Sequence, residues 1–117
     1  MSWEENFLKD YLGDNYKIFF SKYYKKIQGV HTLSNLLEEA KKNNLLEKCI
    51  DLEWVTYPGI DKVHYLMKTT NAKYEVFDSE MFGKLSLRVY DDLETAFKSK
   101  FDRILNSLSY TPSDSPS

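Results

Sequence analysis

Apolar residues recur at a helical period near both ends of the chain and at a strand period between them. Near the N-terminus, Trp3, Phe7 and Tyr11 are spaced four residues apart and are followed by Gly13. This spacing puts the three side chains on one side of an α-helix, and glycine often ends a helix. The pattern predicts a first short helix that ends near Gly13.

A longer segment, 15–29, continues the helical period. Its large apolar residues lie three or four positions apart: Tyr16, Phe19, Phe20, Tyr23, Tyr24 and Ile27. On a helix these side chains form one face, and four lysines fall outside it: Lys17, Lys22, Lys25 and Lys26. The segment is therefore predicted to be a second helix with a buried aromatic face. This separation favours packing over a surface that stacks bases and binds phosphates together.

A third helix is predicted to begin at Thr32 or Ser34, since both side chains can cap a helix N-terminus. The residues expected to face inward repeat the helical period: Leu33, Leu36, Leu37 and Ala40. Asn43 and Asn44 are poor helix formers, so residues 45–49 are either a kinked continuation of this helix or a separate turn.

From residue 50 onward the apolar period shortens to two. Ile50, Leu52 and Trp54 alternate with acidic residues, as in a strand with one face in water. Similar alternation recurs in three later segments, 62–69, 73–78 and 84–90, with Leu85, Leu87 and Val89 expected on one side of the last. The middle of the chain is thus predicted to form a four-stranded antiparallel meander sheet.

A C-terminal helix is predicted over residues 91–108. Asp91 or Asp92 can cap it, and Arg103 lies towards its negative end. Its apolar residues form one stripe: Leu93, Phe97, Phe101, Ile104, Leu105 and Leu108. Residues 109–117 have almost nothing to bury and are predicted to be a disordered tail, which leaves 1–108 as a single globular domain.

These elements indicate the α+β class, with three N-terminal helices, the four-stranded sheet and the C-terminal helix packed on the sheet. One sheet face is expected to point away from that helix. Its residues would be Asp51, Glu53, Val55, Tyr57, His64, Leu66, Glu75, Phe77, Arg88 and Tyr90. Because this set is rich in aromatic residues, the face is either a partner-binding surface or a second packed face.

Composition and charge narrow the class of protein. The chain has 117 residues, 42% of them hydrophobic and 29% charged, which is typical of one globular domain. Its net charge of −2 argues against a surface built wholly for nucleic acid. Fourteen lysines against two arginines suggest a low-GC bacterium or its phage. No segment is apolar enough to cross a bilayer and no signal-peptide pattern is present, so a cytoplasmic location is expected.

Residues that could carry chemistry are few and scattered. The glycines are isolated, and no spacing of histidine and cysteine is typical of a metal site, so neither cofactor nor metal is expected. Cys49 is predicted to be a buried thiol. Asp51 and Glu53, two residues apart on a predicted strand, would share a face, and they support one alternative function, a small metal-dependent hydrolase.

The aromatic content of 15% supports a different first hypothesis, a non-enzymatic protein-binding module. Its small size suggests an inhibitor or immunity-type antagonist that occludes a partner protein. The residues predicted to bind the partner are Tyr57, Phe77, Tyr90 and His64. A second alternative is nucleic-acid binding through the lysines of region 17–48, above all Lys17, Lys22, Lys25 and Lys26.

Overall fold

A computed structural model of the protein describes residues 3–13, 32–54, 63–80 and 83–109. Their elements confirm the α+β class, with helices, an antiparallel sheet and a C-terminal helix. In chain order the elements are α1 (Trp3–Leu12), α2 (Thr32–Lys42), a 3-10 turn (Glu47–Cys49), β1 (His64–Lys68), β2 (Tyr74–Glu80), β3 (Gly83–Tyr90) and α3 (Leu93–Ser109). The predicted second helix over 15–29 lies outside the described residues, as does the predicted tail apart from Ser109, which ends α3.

Within the described residues the sheet has three antiparallel strands in the order β1-β2-β3, where four were predicted. Residues 50–54 do not form the expected first strand, and the rest of that segment is not among the described residues. The Asp51 N–H donates to the Leu66 carbonyl (2.7 Å), but the Leu66 N–H donates to the Asp51 side-chain Oδ2 (2.9 Å). The Asp51 carboxylate thus accepts the hydrogen bond that a backbone carbonyl would accept between two paired strands. Residues 50–54 therefore lie beside β1 without forming a strand.

Asparagine, which weakens the third predicted helix, is the residue that ends it. Asn44 has a φ of 58°, in the left-handed region that asparagine tolerates better than most residues. This turn lets the Leu45 N–H donate to the Ala40 carbonyl (2.8 Å). Residues 47–49 therefore form a separate 3-10 turn, the second of the two predicted possibilities.

At the start of α3 the cap is Asp92. Its Oδ2 accepts a hydrogen bond from the Thr95 N–H (2.9 Å), which satisfies an amide that the helix leaves unpaired. Asp91, the other predicted cap, pairs instead with Lys73 (2.7 Å). The end of the sheet and the start of α3 are thereby fixed by two neighbouring carboxylates with different partners.

The helix α3 lies between the two layers of the molecule. Four of its predicted stripe residues, Phe97, Phe101, Ile104 and Leu105, are buried against the helical layer. That layer contributes Phe7, Leu8, Tyr11, Leu36, Leu37, Ala40, Leu45 and Cys49. On its other side α3 packs on all three strands, where Ala96 contacts Leu66 and Val76. The predicted packing of this helix on the sheet is confirmed.

The strand registers correct the predicted assignment of sheet faces. Leu66 lies opposite Val76 and both are buried against α3, whereas Tyr65 lies opposite Phe77 on the other face. Directly opposite residues of antiparallel strands share a face, so Leu66 and Phe77 cannot both lie on the outer face as predicted. His64, Leu66, Arg88 and Tyr90 consequently lie on the α3 side. Of the described strand residues in that set, only Glu75 and Phe77 keep the predicted outer position.

An irregularity in β3 separates leucines that were predicted to be aligned. The register between β2 and β3 shifts between Val76 and Asp78, and Ser86 has a φ of 52°. Leu85 lies opposite Asp78 and Val89 opposite Glu75, which belong to different faces of β2. The extra residue of this bulge therefore turns Leu85 towards the α3 face, while Val89 stays on the outer face.

Candidate functional site

The most unusual surface in the described part of the chain is the outer edge of β3. This strand pairs with β2 on one side, and no described strand pairs with its other side. Its large apolar side chains are exposed: Leu85 by 45%, Leu87 by 41% and Val89 by 51%. A long apolar edge strand is a ready template for another strand, and proteins usually cover or interrupt such an edge. We call residues 83–90 the β3 edge.

The charge available at the β3 edge is positive. Arg88 is exposed and forms no ion pair with any residue whose position is described. Lys84 is drawn over the outer face, where Glu75 accepts its hydrogen bond (3.3 Å) and its Nζ lies 4.7 Å from the centre of the Phe77 ring. Within residues 83–90, Arg88 is the charged side chain that no described residue pairs, so its charge can meet an incoming partner.

The outer face beside the β3 edge is filled by aromatic rings. Tyr65 and Phe77 stack with their ring centres 5.5 Å apart, and Trp54 meets Phe77 edge-on at 5.6 Å. The Trp54 Nε1–H donates to the Ser79 Oγ (2.7 Å), which fixes the indole over the sheet. Tyr65 and Phe77 are fully buried, so part of this face is a second packed face.

The structure describes three of the four residues that were predicted to bind a partner, and it does not gather these three on one exposed surface. Phe77 is fully buried, because Trp54 and Tyr65 pack on it, and it therefore lacks the exposure that partner binding requires. His64 is also buried, and Tyr90 is half-buried on the α3 face with its hydroxyl donating to the Ser99 Oγ (2.9 Å). Tyr57 lies outside the described residues, as do Lys17, Lys22, Lys25 and Lys26.

A cluster of polar side chains connects β1, β2 and α3 to the bulge of β3. The His64 Nδ1 lies 2.7 Å from the Asp78 Oδ1, and the Arg103 Nη1 donates to the same oxygen (3.2 Å). The Arg103 Nη2 donates to the Ser86 carbonyl (2.6 Å). We call His64, Asp78 and Arg103 the bulge cluster. Arg103 was predicted only as a charge near the helix end, but here it reaches back to the sheet.

Burial lowers the pKa of His64 below its ordinary value, and this effect outweighs the Asp78 carboxylate, which raises it. Arg103 and Lys100 lower the pKa further. The folded protein therefore holds His64 neutral at neutral pH, with its one ring proton on Nδ1 where Asp78 can accept it.

Acid is expected to destabilise the fold through His64. The unfolded chain protonates this side chain near pH 6.5 and the folded protein only at lower pH, so below about 6.5 the unfolded state binds more protons and stability falls. Urea unfolding at pH about 7.5 and about 5.5 should show a smaller loss for His64→Gln than for the wild type. His31→Gln, which replaces the other histidine, should keep the full loss. An equal loss in all three proteins would contradict the assignment.

The carboxylate that suggested an enzyme has a structural role. Asp51 Oδ2 accepts hydrogen bonds from the Lys100 Nζ (2.9 Å) and the Leu66 N–H (2.9 Å), and the pair lies at a groove of about 450 Å³. Because residues 50–54 are not a strand, the premise that Asp51 and Glu53 share a strand face is wrong. Among the residues whose positions are described, no three metal-binding side chains lie together.

Two buried or half-buried cations, Lys100 and Arg103, were missed as structural residues. Lys100 carries a signal that could have identified it, because it lies seven residues after Leu93 and four before Ile104, within the apolar stripe of α3. Cys49 was predicted correctly as a buried thiol, and its Sγ lies 3.4 Å from the Leu45 carbonyl.

Comparison of the chain with known protein families, with curated proteins and with solved structures finds no match. None of the helices in the described ranges is both long enough and apolar enough to pass through a bilayer.

Proposed function

We propose that the protein is a protein-binding module that takes up an extended segment of a partner along the β3 edge. The observation that carries the proposal is the exposure of Leu85, Leu87 and Val89 on a strand whose outer side no described strand occupies. In this mode of recognition, backbone hydrogen bonds of an added strand supply affinity, and alternate side chains supply specificity.

The charge of the β3 edge indicates which kind of segment fits. Arg88 favours a partner with an acidic side chain opposite it, and the exposed leucines and valine favour apolar residues at neighbouring positions. A second copy of this chain suits the edge less well, because it would bring two cationic strands together. The occupant is therefore an apolar, acidic strand of a different protein.

This mode of binding supports the inhibitor or antagonist hypothesis in a specific form. A segment that is held along an edge strand has its backbone groups paired and one row of side chains covered. Such a segment is withdrawn from its other interactions for as long as it is bound. The partner is thus occluded locally, at one extended stretch of its chain.

A displayed library of short random peptides tests the proposal. Selection on the wild-type protein should enrich peptides in which apolar residues alternate and at least one Asp or Glu is present. Hydrogen exchange of the full chain with an enriched peptide should show newly protected amides within residues 83–90. Protection elsewhere, without protection there, would rule out strand addition at β3.

Substitutions in the β3 edge should remove this binding. Leu87→Lys and Val89→Lys are each expected to weaken an enriched peptide by about 2 kcal/mol, or roughly 30-fold in Kd, since a buried cationic side chain replaces an apolar contact. The matched control is Leu52→Lys, because Leu52 is 94% exposed and lies outside the sheet. Arg88→Glu should reverse the charge preference and enrich basic peptides. Equal binding by Leu87→Lys and wild type would refute the proposed surface.

A further inference from the structure

We infer that the bulge cluster is a pH-sensitive latch that holds the β3 edge in its binding shape and releases it in acid. The part of this inference that concerns partner binding rests on the proposed function. The part that concerns the shape of β3 stands on the geometry of three side chains and one backbone carbonyl.

Arg103 holds the bulge from the helix side. Its guanidinium spans from the Asp78 carboxylate on β2 to the Ser86 carbonyl on β3, with distances of 3.2 and 2.6 Å. Ser86 has the left-handed φ of 52°, which is unfavourable for a residue other than glycine and needs support from its surroundings. Since Ser86 separates Leu85 from Leu87, this one contact fixes which apolar side chain points to which face.

His64 and Arg103 depend on the same carboxylate, that of Asp78. Both side chains contact the same oxygen, Asp78 Oδ1. Among the described residues, the charged groups that act on the imidazole are Asp78 from β2, and Arg103 and Lys100 from α3. Lys100 is already paired with Asp51, so Asp78 is the carboxylate that balances Arg103. A neutral His64 adds no charge to this balance.

Protonation of His64 would change the balance of charge around Asp78. The imidazolium would be a second full positive charge on Asp78 Oδ1, beside the guanidinium and inside a largely buried cluster. Arg103 is the partner that can leave, because it is the more exposed of the two and its long side chain reaches solvent readily. Its departure frees the Ser86 carbonyl and removes the support for the bulge.

An NMR titration of the full chain without any partner tests the latch directly. The amide signals of Ser86 and Leu87 should move with the same midpoint as the His64 ring, while signals of α1 and α2 stay in place. The movement should vanish in His64→Gln and persist in His31→Gln. Arg103→Gln should show the acid-like positions of these signals already at neutral pH.

Two results would overturn the latch. One is that His64 titrates and the β3 amides do not follow; the other is that His64 protonates only when all signals collapse in global unfolding.

Measuring the affinity of an enriched peptide at several pH values distinguishes this inference from the proposed function. The affinity of an enriched peptide should fall by about fivefold or more when the pH passes below the His64 midpoint, and not in His64→Gln. A peptide that protects β3 with an affinity independent of pH would leave the proposed function intact and refute the latch. Enrichment of no peptide would refute the proposed function, while the NMR result would still decide the latch.

Discussion

Replacing Lys100 with alanine is expected to lower the free energy of unfolding by about 3–5 kcal/mol. The Lys100 side chain is 1% exposed, and its Nζ donates to Asp51 Oδ2 (2.9 Å) and to the Cys49 carbonyl (3.1 Å). It also lies 5.0 Å from the centre of the Tyr11 ring. Alanine would leave the Asp51 carboxylate buried without its cation, and an unpaired buried charge is among the most destabilising features a fold can have.

Urea unfolding of matched variants measures this effect. The control is Lys41→Ala, because Lys41 and Glu94 form a half-exposed ion pair at 3.2 Å, and its loss should cost no more than about 1 kcal/mol. The double variant Asp51→Asn with Lys100→Met should be more stable than the sum of its single changes predicts, since both charges leave together. If Lys100→Ala were as mild as Lys41→Ala, the pair would not be a buried charge pair.

Replacing Phe101 with alanine is expected to have an effect of similar size, about 3–5 kcal/mol, for a different reason. Phe101 is fully buried, and its ring centre lies 4.5 Å from that of Phe97, 5.3 Å from Tyr11 and 6.2 Å from Phe7. It is therefore the ring around which α1 packs on α3. Alanine removes these contacts and leaves a cavity that the surrounding rings can only partly fill.

The expected loss is a large part of the stability of a domain of this size, which is about 5–15 kcal/mol. Thermal unfolding should therefore show a clear fall in Tm for Phe101→Ala. Leu52→Ala is the control, because a leucine that is 94% exposed contributes within about 0.5 kcal/mol. A Tm for Phe101→Ala close to that of Leu52→Ala would contradict the central position of this ring.

Elements fixed by local spacing could be predicted from the sequence. Residues that are close together along the chain determine the apolar stripe of α3, the cap, and the order of the three described strands. The cap was predicted at Asp91 or Asp92, and the structure uses Asp92. These features follow from helical and strand periods and from capping chemistry alone. The two predictions that rest on such short-range patterns, the α+β class and the helix packed on the sheet, are confirmed.

Features that depend on distant residues could not be predicted in this way. In the described part of the predicted first strand, residues 50–54, no strand forms, and the Asp51 side chain takes the hydrogen bond from Leu66, fifteen positions away. Lys100 pairs with Asp51 across 49 positions and Arg103 with Asp78 across 25. A charge pattern read along the chain does not reveal such pairs. The position of Lys100 within the apolar stripe of α3 indicates burial, but it does not identify Asp51 as the partner.

The candidate site also combines features that local spacing predicts with features that depend on distant residues. Alternating apolar residues identify β3 as a strand, but they are equally typical of a buried strand and of an exposed one. The predicted meander order already puts β3 last in the sheet, but only the bulge at Ser86 separates Leu85 from Val89. Phe77, which was predicted to bind a partner, is buried because Trp54 packs on it. This contact could not be predicted, since Trp54 belongs to a segment that was expected to be a strand.

The place of α3 between the two layers bears on how the chain folds during synthesis. Both apolar clusters include residues of α3, and this helix leaves the ribosome after every other described element. Until residues 93–109 emerge, the nascent helical layer and sheet lack the surface that joins them. We therefore expect a late and cooperative collapse of the nascent chain, with chaperones able to bind its apolar segments until that moment.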